Sequence, residues 1–111
     1  MEVVCTVRLA DGTNRAFTAA AAFPALNTPV VITCAWEPVA GNASDCSIYI
    51  DGVPKVVTLN TPYTPQALAV GASTILFNND GFSGATGYYD DALLFPSKLT
   101  QFQIQNLIAA T

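Results

Sequence analysis

The sequence predicts an all-β fold: an antiparallel two-sheet β-sandwich closed by one short C-terminal helical turn. Three observations predict it. Seven short runs show strand-like apolar patterning. Gly, Pro and Asp turn signals separate them, about every eight to twelve residues. One helical pattern follows at the C-terminal end, behind a capping residue. A length of 111 residues fits a single domain with one core, spanning 1–111.

The first run, Val3 to Leu9, alternates. Val3, Cys5, Val7 and Leu9 point one way, and Val4, Thr6 and Arg8 the other. Asp11-Gly12 signals a hairpin, because glycine tolerates the positive φ of a tight turn. Arg15 to Ala20 is the return strand around Phe17. The alanines at 19–22 meet Pro24, which cannot continue a helix, so they read as strand end and loop. Pro29 to Glu37 is expected to be a central strand, with Val30, Ile32, Cys34 and Trp36 inward. A loop from Pro38 to Asp45 leads to Cys46–Ile50, with Cys46, Ile48 and Ile50 inward and Tyr49 outward. Asp51 and Gly52 make the second tight turn, and Lys55 to Leu59 is the partner strand. Asn60 to Val70 carries Pro62 and Pro65 and reads as a crossing between sheets. Ser73 to Phe77 is a further strand, Asn78 to Thr86 a polar loop, and Gly87 to Phe95 the last strand, apolar on both faces.

The helical turn has a specific signature. Thr100 and Gln103 have the spacing of a capping box, in which each side chain satisfies the other's backbone N–H. Leu99 and Ile104 take the flanking apolar positions. Ile104, Leu107 and Ile108 share one face. A helix this short is marginal alone and must dock on the sheet.

Composition excludes several functions. The chain is 51% hydrophobic and only 11% charged, against about 25% charged residues in an average soluble domain. Net charge is −4, from eight acids and four bases. The cations Arg8, Arg15, Lys55 and Lys98 are scattered, so no basic patch exists to neutralise phosphates or to hold an anionic membrane. A surface this poor in charge is expected to be buried against other chains. No signal peptide precedes Arg8, so the chain is either made as it stands or cut from a longer protein. The three cysteines Cys5, Cys34 and Cys46 leave two readings open: buried thiols, or a Cys34–Cys46 bridge across a hairpin.

These parts occur in a familiar order. V-V-I-T-C-A-W-E is followed by S-I-Y-I-D-G-V, then a strand ending I-L-F, then G-Y-Y-D-D-A-L-L-F-P-S-K-L-T-Q-F-Q-I-Q-N-L. From Val30 to Leu107 this resembles the LamG-like jelly-roll domains of the concanavalin A-like lectin/glucanase and pentraxin group. The resemblance implies a concanavalin A-like jelly roll. Gln103 stands where that family has glutamate, and the chain is shorter at its N-terminus than full family domains. A sandwich lacking edge strands leaves unpaired backbone groups, which a partner chain would satisfy.

No catalytic set is apparent. The chain contains no histidine, so Ser-His and Cys-His arrangements are impossible. The glutamates Glu2 and Glu37 do not form the paired carboxylates of glycoside hydrolysis. Calcium, which takes several hard oxygen ligands from loops, has candidate ligands in Asn78, Asp80 and Asp90. The preferred reading of these residues is structural: Asn78 and Asp80 hold turn backbone, and Asp90 or Asp91 accepts from backbone N–H groups beside the last strand. Asp91 is expected to be a structural acceptor beside the last strand, as Asp51, Gly52, Thr100 and Gln103 are structural at the turn and helix. Phe82 at a loop tip, with Asn79 and Tyr88, is the candidate surface for a glycan or a partner.

The expected function is that of a non-catalytic structural or adhesion module of a homo- or hetero-oligomeric assembly. A virion component fits best, such as a bacteriophage capsid-decoration or tail/fibre protein, with surface glycans as a ligand class. The alternative is a secreted or cell-surface calcium-dependent carbohydrate-binding domain. Nucleic acid and membrane are not expected partners, and no cofactor is expected beyond calcium.

Overall fold

The computed structural model describes residues 3–12, 14–20, 28–36, 46–59, 93–95 and 97–110. These residues are mostly β: two three-stranded antiparallel sheets and one short C-terminal helix. The strands are β1 (Val3–Arg8), β2 (Asn14–Ala19), β3 (Ile32–Trp36), β4 (Cys46–Ile50), β5 (Val53–Lys55) and β6 (Thr58–Leu59). The helix α1 spans Gln101–Ala109.

The first sheet has the order β1-β2-β6. Its β1–β2 register runs from Val3 opposite Ala19 to Arg8 opposite Asn14. The alternation read from the sequence holds. Val3 is buried, Cys5 and Val7 are half-buried, and Val4 and Thr6 face solvent. Asp11-Gly12 lies in the hairpin connection, where Gly12 at φ +86° donates its N–H to the Leu9 carbonyl at 2.9 Å.

The second sheet has the order β3-β4-β5. Ile50 pairs directly with Val53, so Asp51-Gly52 is the whole turn. Both turn residues have positive φ, +51° and +78°. Those are the requirements of a type I′ turn, whose twist matches that of the flanking strands. Pro54 lies opposite Tyr49, next to the pair that closes the hairpin. Adjacent pairs alternate in hydrogen bonding, so the missing proline donor breaks no rung there.

The sheets enclose a core of Val3, Phe17 and Ala19 from one side and Cys46, Ile48 and Ile50 from the other. Cys5, Val7, Val30, Cys34, Trp36, Val57 and Leu59 pack around it. One disulfide, Cys5–Cys34, joins β1 to β3 across this core, with a Cα–Cα distance of 6.6 Å.

Five expectations are corrected. First, the cysteine pairing is Cys5–Cys34, and Cys46 stays outside it as a buried thiol. Cys34 lies opposite Ile48, and Cys46 opposite Trp36. The two are diagonal neighbours, whose usual spacing of about 7–8 Å exceeds the reach of a disulfide. Second, β4 and not β3 is central among the described strands of its sheet. β3 lies at the edge of the described part of its sheet, and Ile32 there is 41% exposed. Third, Tyr49 is not outward-facing in effect. It is only 8% exposed, and Ala35 on the same face of the sheet is also buried, so β4 is covered on both faces. Fourth, 55–59 is not one strand. β5 pairs with β4 and β6 with β2, so the chain changes sheets at Val56-Val57. Fifth, Leu93, Leu94 and Phe95 lie in no strand and are exposed, so the expected last strand from Gly87 to Phe95 does not extend over them. The expected strands at 73–77 and 87–92, and the loops at 38–45, 60–70 and 78–86, lie outside the described residues.

Candidate functional site

The best-defined constellation among the described residues is the junction of the β4–β5 turn, the start of β3 and α1. It is built from the turn outward. Asp51 takes a left-handed conformation, which aspartate tolerates better than most residues and which the first position of a two-residue type I′ turn requires. Its carboxylate Oδ1 accepts the Val31 N–H at 2.9 Å, and its own N–H donates to the Val31 carbonyl at 2.9 Å. These two bonds prolong the β3–β4 ladder one step past the Ile32–Ile50 pair.

Gly52 is buried beneath the helix. Its carbonyl accepts the Gln105 Nε2 amide at 3.2 Å, and Gln101 Nε2 lies at 3.5 Å from the same oxygen. Gln101 and Gln105 stand one helical turn apart on the same face. A β-carbon on Gly52 would sit 3.0 Å from Gln105 Cγ and 3.5 Å from Ile108 Cδ1. Glycine therefore serves twice here, for the positive φ and for the close approach of α1.

The helix start matches its sequence signature. Thr100 is the N-cap. Its Oγ1 accepts the Gln103 N–H at 3.2 Å, and Gln103 Oε1 accepts the Thr100 N–H at 2.9 Å. Ile104 is 1% exposed, while Leu107 and Ile108 are half-buried. The opposite face carries Phe102, 72% exposed.

This junction is structural in its chemistry. It holds backbone groups by amide and carboxylate bonds and offers no nucleophile with an adjacent base. Among the described residues there is no group of three or more His, Cys, Asp or Glu side chains placed to hold a metal. Likewise, no helix among them is long and apolar enough to cross a membrane.

The structure places Asp51 and Gly52 in the tight turn and Thr100 and Gln103 in the capping box, and brings Gly52 against α1. The candidate calcium ligands Asn78, Asp80 and Asp90, the candidate glycan or partner residues Phe82, Asn79 and Tyr88, and the acceptor Asp91 lie outside the described residues. Sequence reasoning missed the Gln101 and Gln105 contacts with Gly52. Their spacing on one face of a capped helix was the available signal. It also missed the exposed apolar side chains Val53, Val56, Leu93, Leu94, Phe95 and Phe102.

In comparisons with known proteins, no family model, no curated protein and no solved structure matches this chain.

Proposed function

We propose that this chain is a non-catalytic module of a larger protein assembly, built as a concanavalin A-like, LamG-like jelly-roll sandwich. The observation that carries the reading is the character of its surface. Only 11% of residues are charged, while Val56, Leu93, Leu94 and Phe102 are all largely exposed. Apolar side chains on a charge-poor surface are the composition of an interface rather than of a solvated face. A virion component of the capsid-decoration or tail/fibre kind fits a small, charge-poor module, and surface glycans are its ligand class beyond protein. Size-exclusion chromatography with light scattering tests the assembly. Self-associated species, or a stable complex with a co-expressed particle protein, are the expected results. A chain that stays monomeric at high concentration and captures no particle protein overturns the reading.

A second reading is favoured by the Cys5–Cys34 bridge. Disulfides persist in oxidising compartments, which suits a secreted or cell-surface carbohydrate-binding domain with calcium held near Asn78, Asp80 and Asp90. A ligand that binds only the folded chain raises its melting temperature. Millimolar calcium should therefore stabilise the chain, and an unchanged melt would remove this reading.

A further inference from the structure

We propose that the Cys5–Cys34 bridge is a redox-conditional staple: oxidation of the pair by an external disulfide donor locks the two sheets together and raises the stability of the body they form. The placement of the bridge carries the argument. Cys5 belongs to β1 in one sheet and Cys34 to β3 in the other, 29 positions apart in sequence. The bridge therefore ties sheet to sheet, whereas a Cys34–Cys46 bond would only tie a hairpin to itself. Closing a loop of that length removes conformational entropy from the unfolded chain, so the oxidised pair stabilises the folded one.

Access supports the same conclusion. Cys5 and Cys34 are only half-buried, while Cys46 is buried. The bridged pair is therefore the more open of these environments to a small thiol or disulfide, and Cys46 the less open. The chemistry balances with one co-reactant. One thiolate of the pair attacks a donor disulfide RSSR, forming a mixed disulfide and releasing RSH. The second cysteine then displaces the remaining RSH and closes the Cys5–Cys34 bond. The pair loses two electrons and two protons, and the donor becomes two RSH.

The test uses the full chain equilibrated with glutathione disulfide or with dithiothreitol. Alkylation after denaturation should count one thiol in the oxidised chain and three in the reduced one. Peptide mapping should find Cys5 joined to Cys34. The reduced chain should melt lower by about 10–20 °C, the range expected when a bridge closing a loop of this length is lost from a domain of this size. Cys5→Ser and Cys34→Ser should melt as the reduced wild type does and ignore reductant. Cys46→Ser should keep both the higher melting point and the response. Should either serine variant fail to fold, the wild-type melts in oxidant and reductant decide alone. A bridge mapped to Cys46, a native bridge that resists millimolar dithiothreitol, or equal melting points for the two redox forms would each overturn the proposal.

Discussion

Asp51 and Val31 hold each other by a reciprocal pair of hydrogen bonds, each 2.9 Å long. One uses the carboxylate and the other only backbone, so a substitution at Asp51 removes one bond and leaves the second. Asp51→Ala leaves the Val31 N–H without its acceptor and puts a plain β-carbon at φ +51°. The expected loss is about 1–3 kcal/mol. Asp51→Asn keeps a side-chain oxygen and tolerates the left-handed region, so it should lie within about 1 kcal/mol of wild type. Urea denaturation midpoints check the order. An alanine variant as stable as the asparagine one would show that the carboxylate bond contributes nothing.

The helix seat at Gly52 makes a sharper demand. Gly52→Ala meets both an unfavourable φ of +78° and a 3.0 Å contact with Gln105 Cγ. A loss of about 1–3 kcal/mol is expected. Gln105→Ala removes that crowding together with one amide bond, and alone should lose about 0.5–1.5 kcal/mol. The two changes should be non-additive, with the double variant better than the sum of the singles. Additive melts across the cycle would mean that the helix is not seated as described.

At the helix N-terminus, the first turn contains no acidic residue. Gln103→Glu preserves the capping geometry and places a negative charge at the positive end of the helix dipole. The variant should gain about 0.3–1 kcal/mol at neutral pH and lose that gain in acid, where the carboxyl is protonated. Thr100→Ala should cost about 0.5–2 kcal/mol. Far-UV circular dichroism across a thermal scan reads both.

Two phenylalanines separate fold from surface. Phe17 is fully buried in the inter-sheet core, and Phe17→Ala should cost about 3–5 kcal/mol. Phe102 points away from that core, and Phe102→Ser should leave the melting temperature nearly unchanged. If the exposed apolar surface is an interface, Phe102→Ser should instead lower the assembled mass by light scattering. A change in stability without a change in mass would assign Phe102 to packing.

Local rules were legible in the residues, and pairings across distance were not. Asp51-Gly52 announces a two-residue turn because few residue pairs accept two positive φ values in succession. Thr100 and Gln103 announce a helix start because only such side chains answer each other's N–H groups. The alternation of Val3 to Leu9 identified the buried face of β1. Non-local choices leave no comparable trace. Nothing in the spacing of three cysteines says that Cys34 pairs backward to Cys5 and not forward to Cys46, since that depends on which sheet stacks on which. The expectation of one strand from Lys55 to Leu59 failed for the same reason. Val56 and Val57 suit a strand, yet the ladder partners change between them. The candidate site residues from Asn78 to Asp91 were singled out by residue type alone, and type does not fix where a loop places its oxygens.

The change of sheets at Val56-Val57 has a consequence for the order in which the chain folds. The β4–β5 hairpin closes over two residues, which is fast. β6 must find β2 about 40 positions back in the chain, with Phe17 against Leu59 and Thr18 against Thr58. Closing so long a loop is entropically unfavourable until other contacts hold its ends. The β4–β5 hairpin, once formed, carries β6 as a short trailing tether and delivers it to the edge of the first sheet. That pairing should come last. Leu59→Ala should therefore speed unfolding and barely slow refolding, with a φ-value near zero, while Ile48→Val in the hairpin should weigh on the folding rate. A high φ-value at Leu59 would reverse the sequence of events.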